Sequence, residues 1–333
     1  MSAALTKELS VPGQQHHAEP FPLALGPTTE VDLAAAIEYA RQSRDELVTA
    51  LSTHGAILFR GFPITTAEEF DAFLSAFGLD SFTYEESLSN AVRVNKTDKV
   101  FTANEAPPDV SIFLHHEMAQ TPLFPSRLFF CCLTAPERDG ATPLCRSDVL
   151  LERLQAAEPG FVRSCEQLGV RYSNVMPGSD DKKSGQGRSW RSTLGVDSRA
   201  AAEARLTTLG YRFEWLPDDV LRATTPVLPA VRTLVDGRRV FFNQLIAAFR
   251  GWKDTRNDPR KSICFGDDSP IDEAAMETAI ALSDELSFDL DWQAGDVAFI
   301  DNYLVMHGRR PFAGKRSVLA SLVADDGTRL AAA

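Results

Sequence analysis

The sequence has few cysteines, the residues that cross-link small domains through disulfides or zinc. It has five cysteines in 333 residues, an odd number, and no Cys-x-x-Cys pair. A disulfide scaffold or a cysteine-rich zinc site is therefore disfavoured, and we expect reduced thiols in a cytoplasmic protein. No apolar stretch approaches the roughly 20 residues of a membrane-spanning helix. Residues 1–15 lack the apolar segment of a secretory signal, so none is expected.

Positive charge is also in short supply. Lys and Arg number 34 against 46 Asp and Glu, which gives a formal net charge of −12. Nucleic acids and anionic membrane surfaces both require a basic footprint, so neither is an expected partner. A small anionic substrate stays compatible with this balance, because it needs only a local cluster of arginines. We therefore expect a small-molecule substrate, and the sequence favours no particular oligomeric state.

The pattern along the chain predicts helices first and strands later. Residues 1–30 are rich in Pro, His and Gly and are predicted to form an extended arm. A helix is predicted over 31–54, ending at Gly55, and another after the capping box of Thr66 and Glu69. From about residue 90, short β-rich runs alternate with Pro, Gly and Asp. We interpret 31–330 as one domain that is mainly β with flanking helices, an α+β class.

The individual elements are predicted from short apolar runs and from helical spacing. Strands are expected at 56–62, 112–114, 127–133, 168–172, 239–242, 297–300 and 317–323, and further helices at 148–157 and 272–286. Residues 173–200 are polar and rich in Gly and Ser. They fit a mobile lid or a solvated surface insertion equally well.

Two short segments hold three of the six histidines. In the first, His115 and Glu117 are two residues apart, so on a strand their side chains point to one side while His116 points away. The second segment places His307 after an apolar run. Two imidazoles and a carboxylate form the facial triad that holds Fe(II) and leaves room for a bidentate co-substrate and O₂. Zinc hydrolases use similar ligands, although the sequence has no His-Glu-x-x-His motif.

An arginine follows the second histidine at an informative distance. Arg316 lies nine residues beyond His307, at the start of a predicted strand that could run back beside it. Its planar guanidinium can bind a carboxylate through two parallel hydrogen bonds. A keto acid that chelates iron at one end needs such a clamp at the other. Taken alone, Arg316 could equally be a surface charge.

Several segments together resemble the clavaminate synthase-like branch of the taurine/2-oxoglutarate dioxygenase superfamily, and most closely its plant members. The matching stretches span most of residues 50–323 and include HGAILFRGFP (54–63), FTANEAPPD (101–109), HHEMAQ (115–120), FPSRLFF (124–130), GATP (140–143), GWKDTRNDPRK (251–261) and GDVAFIDNYLVMHGRRPF (295–312). The resemblance implies a double-stranded β-helix, which is a jelly-roll or cupin-like core. It also implies Fe(II), 2-oxoglutarate and O₂, with metal ligands His115, Glu117 and His307 and with 2-oxoglutarate contacts from Thr142 and Arg316.

Two positions refine what the resemblance implies. Taurine dioxygenase has a second arginine four residues after the clamp, which helps to bind the substrate sulfonate, whereas this chain has Ala320 there. Taurine is therefore not the expected substrate. Halogenating relatives replace the carboxylate ligand with a small residue, whereas Glu117 is present here. We therefore expect oxygenation rather than halogenation.

Four polar residues near predicted strand ends are candidates for substrate contacts: Asn104, Gln120, Asn243 and Arg309. Turn chemistry or a core hydrogen bond would explain each of them equally well. The sequence thus favours an Fe(II)- and 2-oxoglutarate-dependent oxygenase. Its expected substrate is a small polar metabolite, such as an amino acid or a derivative, that is hydroxylated, desaturated or cyclised at an unactivated C–H bond. The alternatives are a metal-dependent hydrolase or isomerase on a cupin-like barrel and a non-catalytic jelly-roll binding protein.

Overall fold

Strands and helices alternate along the chain in a mixed α/β architecture. The structure, a computed structural model, describes residues 5–83, 88, 93–103, 106–181, 187–252 and 256–331. Over these residues the strands are β1 (Thr6–Leu9), β2 (Gln15–His17), β3 (Glu19–Phe21), β4 (Leu23–Pro27), β5 (Ala56–Phe59), β6 (Phe101–Thr102), β7 (Ile112–His115), β8 (Arg127–Thr134), β9 (Arg138–Asp139), β10 (Thr142–Arg146), β11 (Val170–Met176), β12 (Arg212–Leu216), β13 (Val220–Thr224), β14 (Arg232–Thr233), β15 (Arg239–Val240), β16 (Ile263–Phe265), β17 (Ser287–Leu290), β18 (Val297–Asp301), β19 (Val305–Arg309), β20 (Phe312–Ala313) and β21 (Ser317–Val323).

Ten helices accompany these strands in the described part of the chain: α1 (Leu33–Gln42), α2 (Arg44–His54), α3 (Ala67–Ser75), α4 (Ser147–Ala157), α5 (Pro159–Leu168), α6 (Trp190–Leu194), α7 (Arg199–Thr208), α8 (Leu245–Gly251), α9 (Pro259–Ser262) and α10 (Glu273–Glu285). None of these helices has the length and apolar character needed to cross a membrane.

The largest sheet has seven strands in the order β1-β4-β5-β18-β8-β21-β6. Its interior strand β8 lies between β18 and β21, and its side chains are buried on both faces of the sheet, because successive side chains of a strand point to opposite sides. Phe129 and Cys131 pack in the cluster that contains apolar residues of α1, α2 and α3. Leu128 and Phe130 pack in a different cluster, which also holds Leu144 of β10. The sheet is therefore covered by helices on one face and by other elements of the core on the opposite face.

A second sheet, β17-β10-β19-β7, carries the histidines that the sequence singled out. All of its strand pairs are antiparallel, and the pairing sets His307 of β19 between His115 of β7 and Leu144 of β10. A third sheet, β12-β13-β11-β16, is built from the middle of the chain. The sheet β17-β10-β19-β7, the small sheet, thus places His115 and His307 side by side although they are almost 200 positions apart in the sequence.

Local sequence signals explain the first helices. The predicted capping box is confirmed: the Thr66 side chain accepts from the Glu69 backbone, and the Glu69 carboxylate accepts from the Thr66 backbone. The helix predicted over 31–54 is two helices that meet at Ser43. The second of them ends, as predicted, at Gly55, where the positive φ of 82° suits a residue without a Cβ.

Two predicted loops contain more regular structure than expected. The segment up to residue 30 is an integral part of the fold, because β4 pairs in parallel with β5 inside the large sheet and Phe21 is fully buried. The segment 173–200 includes the end of β11 and the helix α6, whose Trp190 is also fully buried. Apolar residues within these polar stretches supplied the packing. Residues 182–186 lie outside the described part, so a lid there stays a prediction.

One ion pair joins two strands of the large sheet at their ends. The Arg60 guanidinium donates to both carboxylate oxygens of Asp296, from Nε at 3.0 Å and from Nη2 at 2.6 Å. The Asp296 side chain is 1% exposed and that of Arg60 is 16% exposed. Asp296 also accepts from the backbone N–H of Gln293. A buried carboxylate without its arginine would be costly, because no solvent replaces the lost partner.

We expect Arg60→Gln to lower the free energy of unfolding by about 3 kcal/mol, since it leaves the buried Asp296 charge without its cation. Urea denaturation measures this change. The matched control is Arg41→Gln, which removes an exposed ion pair with Glu38 on α1 and should cost less than about 0.5 kcal/mol. Equal losses in the two variants would show that the Arg60–Asp296 pair does not contribute in this way.

Candidate metal centre

Three potential metal ligands meet where β7 and β19 lie side by side. One ligand atom each from His115, Glu117 and His307 lies within 4.8 Å of the others. His115 and His307 are register partners, and their ring centroids are 4.4 Å apart. Glu117 follows β7, and its Oε2 is 3.4 Å from Nε2 of His307. Glu117 and His307 are 4% and 5% exposed. The structure therefore brings together the three residues that the sequence predicted to bind a metal.

The close approach of β19 to β7 depends on a glycine. A Cβ on Gly308 would lie 2.4 Å from the carbonyl oxygen of Ile112, a distance that real Cβ atoms do not reach. The register between the strands also shifts between His307 and Arg309. Gly308 therefore lets the two histidine-bearing strands lie close enough for their imidazoles to share one centre.

The hydrogen bonds orient the imidazoles for metal binding. Nδ1 of His115 lies 2.8 Å from the carbonyl oxygen of Phe113, so it is the protonated nitrogen and Nε2 is left for the centre. His307 directs Nε2 to Glu117, and its buried Nδ1 has no hydrogen-bond partner among the described residues. Two imidazole nitrogens and one carboxylate oxygen thus converge, which is the donor set that suits Fe(II) with open coordination positions.

The electrostatics favour the protonation states that a metal needs. Burial, with the neighbouring His307, lowers the pKa of His115 to about 4, so the imidazole is neutral near pH 7. Burial acts to raise the pKa of Glu117, but Arg93 and His307 outweigh it and hold that pKa well below its usual range. A neutral imidazole and an ionised carboxylate are the forms that coordinate metal ions.

Asn302, which the sequence did not single out, fixes the backbone of Glu117. Its side-chain oxygen accepts from the Glu117 N–H at 2.8 Å, and its side-chain nitrogen donates to the Glu117 carbonyl at 3.0 Å. The same nitrogen donates to Pro125, and His116 lies against the Asn302 carbonyl on the side away from the centre. Its place between two apolar strands, β18 and β19, was the available signal for a buried turn residue.

Arg93 is a second residue that sequence reasoning missed. Its Nη2 donates to Oε1 of Glu117 at 2.8 Å, and its side chain is 7% exposed. Glu117 therefore has one oxygen on Arg93 and the other near His307. Arg93 lies between Val92 and Val94 in the sequence, and no motif marked it.

The predicted clamp residues lie together. Arg316 donates from Nε to the Gly140 carbonyl at 3.1 Å and from Nη2 to Oγ1 of Thr142 at 3.3 Å. Burial, with nearby Arg309, lowers the pKa of Arg316 to about 10. No acidic side chain in the described ranges pairs with it. Trp292, which the sequence analysis did not name, donates to the same Thr142 oxygen at 2.9 Å.

The clamp faces the metal cluster through β10. Thr142 lies two residues from Leu144 on this strand, so both side chains point to one side of the sheet. Leu144 is the register partner of His307. A ligand that spans from the histidines to Arg316 would therefore lie along one face of the small sheet.

The candidate substrate residues fall into different environments. Asn104 lies outside the described residues. Gln120 follows the Glu117 segment, and its buried Oε1 has no hydrogen-bond partner within the described chain. Asn243 donates to the Ala230 carbonyl and accepts from the Leu245 N–H. Asn243 thus makes the backbone contacts that the sequence left open as an alternative.

Arg309 also contacts backbone, although the sequence offered it as a pocket residue. Its guanidinium donates to the carbonyl oxygens of Ala106, Pro107 and Val110 at 2.6–2.9 Å. The contacts hold the segment that leads into β7. Arg309 therefore supports the strand that carries His115.

Comparisons with known proteins agree with these observations. Residues 17–322 match the family model described as taurine catabolism dioxygenase TauD, TfdA family. A clavaminate synthase-like protein of Arabidopsis thaliana is 38% identical over 330 residues, which cover 97% of this chain and 99% of that protein. The dapdiamide synthesis protein DdaC of Enterobacter agglomerans is 27% identical over 288 residues, covering 82% and 83%.

Solved structures show the same fold at low sequence identity. The PvcB protein from Pseudomonas aeruginosa matches with a TM-score of 0.57 and 15% identity, covering 99% of this chain and 95% of that chain. Another PvcB structure, described as an Fe, alpha-ketoglutarate dependent oxygenase from an isonitrile synthetic pathway, gives a TM-score of 0.55 at 14% identity with the same coverage. The family resemblance drawn from the sequence is thus confirmed, and the chain belongs to the TauD/TfdA dioxygenase family.

Proposed function

We propose that this protein is an Fe(II)- and 2-oxoglutarate-dependent oxygenase that hydroxylates an unactivated C–H bond of a small polar metabolite. One observation carries the proposal. The cluster of His115 with the buried Glu117 and His307 lies on the same side of a sheet as the half-buried Arg316, which has no acidic partner among the described residues. The description of PvcB as an Fe, alpha-ketoglutarate dependent oxygenase supports the same chemistry.

His115, Glu117 and His307 would hold the iron. The donor set fits, because three protein ligands leave positions for a bidentate keto acid and for O₂. The other nitrogen of His115 is fixed by the Phe113 carbonyl, and the backbone of Glu117 is fixed by Asn302. Such outer contacts orient the ligands and raise metal affinity.

Arg316 and Thr142 would bind the distal carboxylate of 2-oxoglutarate. Partial removal of the Arg316 guanidinium from water is unfavourable unless an anion pairs with it, and a carboxylate offers two charge-assisted hydrogen bonds. The Thr142 oxygen already accepts from Trp292 and Arg316, so its own hydrogen can be donated elsewhere. Trp292 thereby leaves the Thr142 hydroxyl to donate to the carboxylate.

Iron, when bound, supplies the oxidative chemistry, in which O₂ and 2-oxoglutarate are consumed, succinate and CO₂ are formed, and one oxygen atom enters the substrate. The residues of this chain bind, orient and keep water out. Phe130 packs against His307 with ring centroids 5.2 Å apart, which shields one side of the centre. The other apolar residues of that cluster continue this shield.

We also propose that the seven-stranded and four-stranded sheets form a double-stranded β-helix, the jelly-roll core expected from the family resemblance. The contact of Phe130 in β8 with His307 in β19 supports this arrangement, because it joins the two sheets around the centre. A single domain over 31–330 fits the family match across 17–322.

The experiment that tests the function is a substrate screen. Protein loaded anaerobically with iron is mixed with 2-oxoglutarate, O₂ and a panel of amino acids and derivatives, and succinate is measured. Oxygen-dependent succinate release supports the proposal. A metal-dependent hydrolase or isomerase would turn over without O₂ or 2-oxoglutarate, and a non-catalytic binding protein would form no succinate.

We expect His307→Ala to lower the affinity for Fe(II) at least about tenfold and to abolish turnover, because the cluster loses one of its three ligands. Anaerobic titration with Fe(II) measures the affinity. His54→Ala is the control, since this histidine lies at the end of α2 and contacts the Pro20 carbonyl. Unchanged iron binding in His307→Ala would contradict the ligand assignment.

We expect Arg316→Ala to raise the apparent requirement for 2-oxoglutarate at least about tenfold, because a lost charge-assisted pair costs about 2–5 kcal/mol. Titration of 2-oxoglutarate against succinate release measures this. The control is Arg310→Ala, which removes a neighbouring, more exposed arginine paired with Asp289. If Arg316→Ala keeps the normal affinity, the clamp is another arginine.

We expect turnover in high chloride or bromide to give hydroxylated, desaturated or cyclised product without halogen. With Glu117 as the third protein ligand, no iron position remains for halide once 2-oxoglutarate and O₂ are bound. Mass spectrometry of the product tests this expectation. A chlorine isotope pattern from the unmutated protein would mean that Glu117 is not a ligand.

A further inference from the structure

Arg93 has more hydrogen-bonding capacity than its protein contacts use. Its Nη2 donates to Oε1 of Glu117 at 2.8 Å, while its Nε and Nη1 are buried and have no hydrogen-bond partner in the described ranges. The side chain is 7% exposed. Buried polar groups in folded proteins are normally hydrogen-bonded. Donors without a protein partner beside the His115–Glu117–His307 cluster therefore indicate that a ligand binds there.

The shape of the guanidinium indicates what that ligand is. Nη2 carries two hydrogens, and each forms an edge with one neighbour, either Nε or Nη1. Whichever hydrogen goes to Glu117, the group keeps one complete edge with two parallel N–H donors. This edge matches the two oxygens of a carboxylate.

The position of Arg93 is fixed by the edge of the large sheet. Val94 makes two hydrogen bonds with Thr102 of β6. The Thr102 backbone N–H donates to the Val94 carbonyl, and the Val94 backbone N–H donates to Oγ1 of Thr102. The Arg93 guanidinium lies 5.1 Å from the centroid of the Phe101 ring. Phe101 is in turn the register partner of Ala320 in β21. Arg93 therefore reaches the centre from the sheet that lies opposite the metal-binding strands.

The charges around the proposed centre also call for a further anion. A divalent ion with Arg93 and Arg316 brings one more positive charge than Glu117 and 2-oxoglutarate neutralise. Arg309 lies nearby, but its guanidinium is held by backbone carbonyl groups. An uncompensated charge in a buried site is costly, so a ligand with one negative charge would complete the balance.

We propose that Arg93 anchors a carboxylate of the primary substrate beside the metal centre. The Glu117 contact holds the guanidinium in place, and the free two-donor edge receives the substrate. The substrate class is thereby narrowed to small molecules that carry a carboxylate. This inference rests on the proposed function, since it assigns the occupant of the same site.

Acetate is the probe that tests the anchor without knowledge of the substrate, and acetamide is its neutral counterpart. The protein is loaded anaerobically with Fe(II) and saturated with 2-oxoglutarate. Relaxation of the probe's methyl protons is then followed by NMR, because the paramagnetic ion speeds relaxation of molecules bound close to it. Zinc-loaded protein serves as the diamagnetic blank.

In the unmutated protein we expect saturable binding of acetate, at least about tenfold tighter than that of acetamide. Arg93→Gln should reduce acetate to the level of acetamide, and Arg93→Lys should retain an intermediate preference, because it keeps the charge without the two-donor edge. The matched control is Arg60→Gln, which removes another buried arginine–carboxylate pair. It should leave the preference unchanged.

Two results would overturn the inference: no saturable acetate binding in the unmutated protein, or the same preference in Arg93→Gln. The second would mean that acetate binds the iron or another arginine. Arg93→Lys keeps the test decisive if Arg93→Gln does not fold. The methylene protons of 2-oxoglutarate report in the same spectra whether the co-substrate binds. If they show no binding, the inference falls with the proposed function.

Discussion

The register of β19 against β7 is the constraint on which the centre depends. Because side chains alternate along a strand, a slip of one residue would turn His307 to the opposite face and dissolve the cluster. The structure opposes such a slip on both sides of the pair. Gly308 admits the Ile112 carbonyl where no other residue would fit, and Asn302 ties the turn before β19 to the backbone of Glu117.

Burial then determines how strongly the polar groups of the centre interact. The large sheet is apolar on both faces, so Phe130 and its neighbours keep solvent away from the histidines while the opposite face packs on helices. Without water, the Arg93–Glu117 contact is stronger than a surface ion pair, and each unpartnered donor becomes costly. The same exclusion of water favours anion binding by the N–H groups of Arg93 that have no partner in the described ranges, and by the Arg316 guanidinium, which no described acidic side chain neutralises.

The parts of the site that could be predicted from the sequence are those whose interacting residues lie close together along the chain. His115 and Glu117 were recognised because two residues on one strand share a face, and the capping box of α3 because its bonds are local. His307 and Arg316 were proposed from their residue types and their spacing, and the family resemblance added Thr142. Trp292 was missed because it meets Thr142 through the pairing of two remote strands, and Arg93 because it meets Glu117 from a segment that pairs with a different sheet. Arg309 and Asn243 were candidates for substrate contacts because they are polar residues near predicted strand ends. In the structure their side chains form hydrogen bonds with backbone groups instead. The arm up to residue 30 was underestimated because its apolar residues are few, yet Phe21 and the parallel strand β4 complete the large sheet.

The two sheets divide the work of the proposed reaction. The proposed metal ligands belong to the small sheet, in or shortly after β7 and in β19. The two arginines proposed to bind anions come from one edge of the large sheet, where Arg316 precedes β21 and Arg93 is anchored on β6. The chain as a whole carries a net charge of −12, so its overall charge does not attract anionic ligands. Anionic ligands would instead be selected at short range, by the paired N–H donors of the Arg93 and Arg316 guanidinium groups, which are shielded from water. Residues of β6 and β21, such as Phe101 and its partner Ala320, can therefore determine which substrate binds without disturbing the strands that carry the proposed metal ligands.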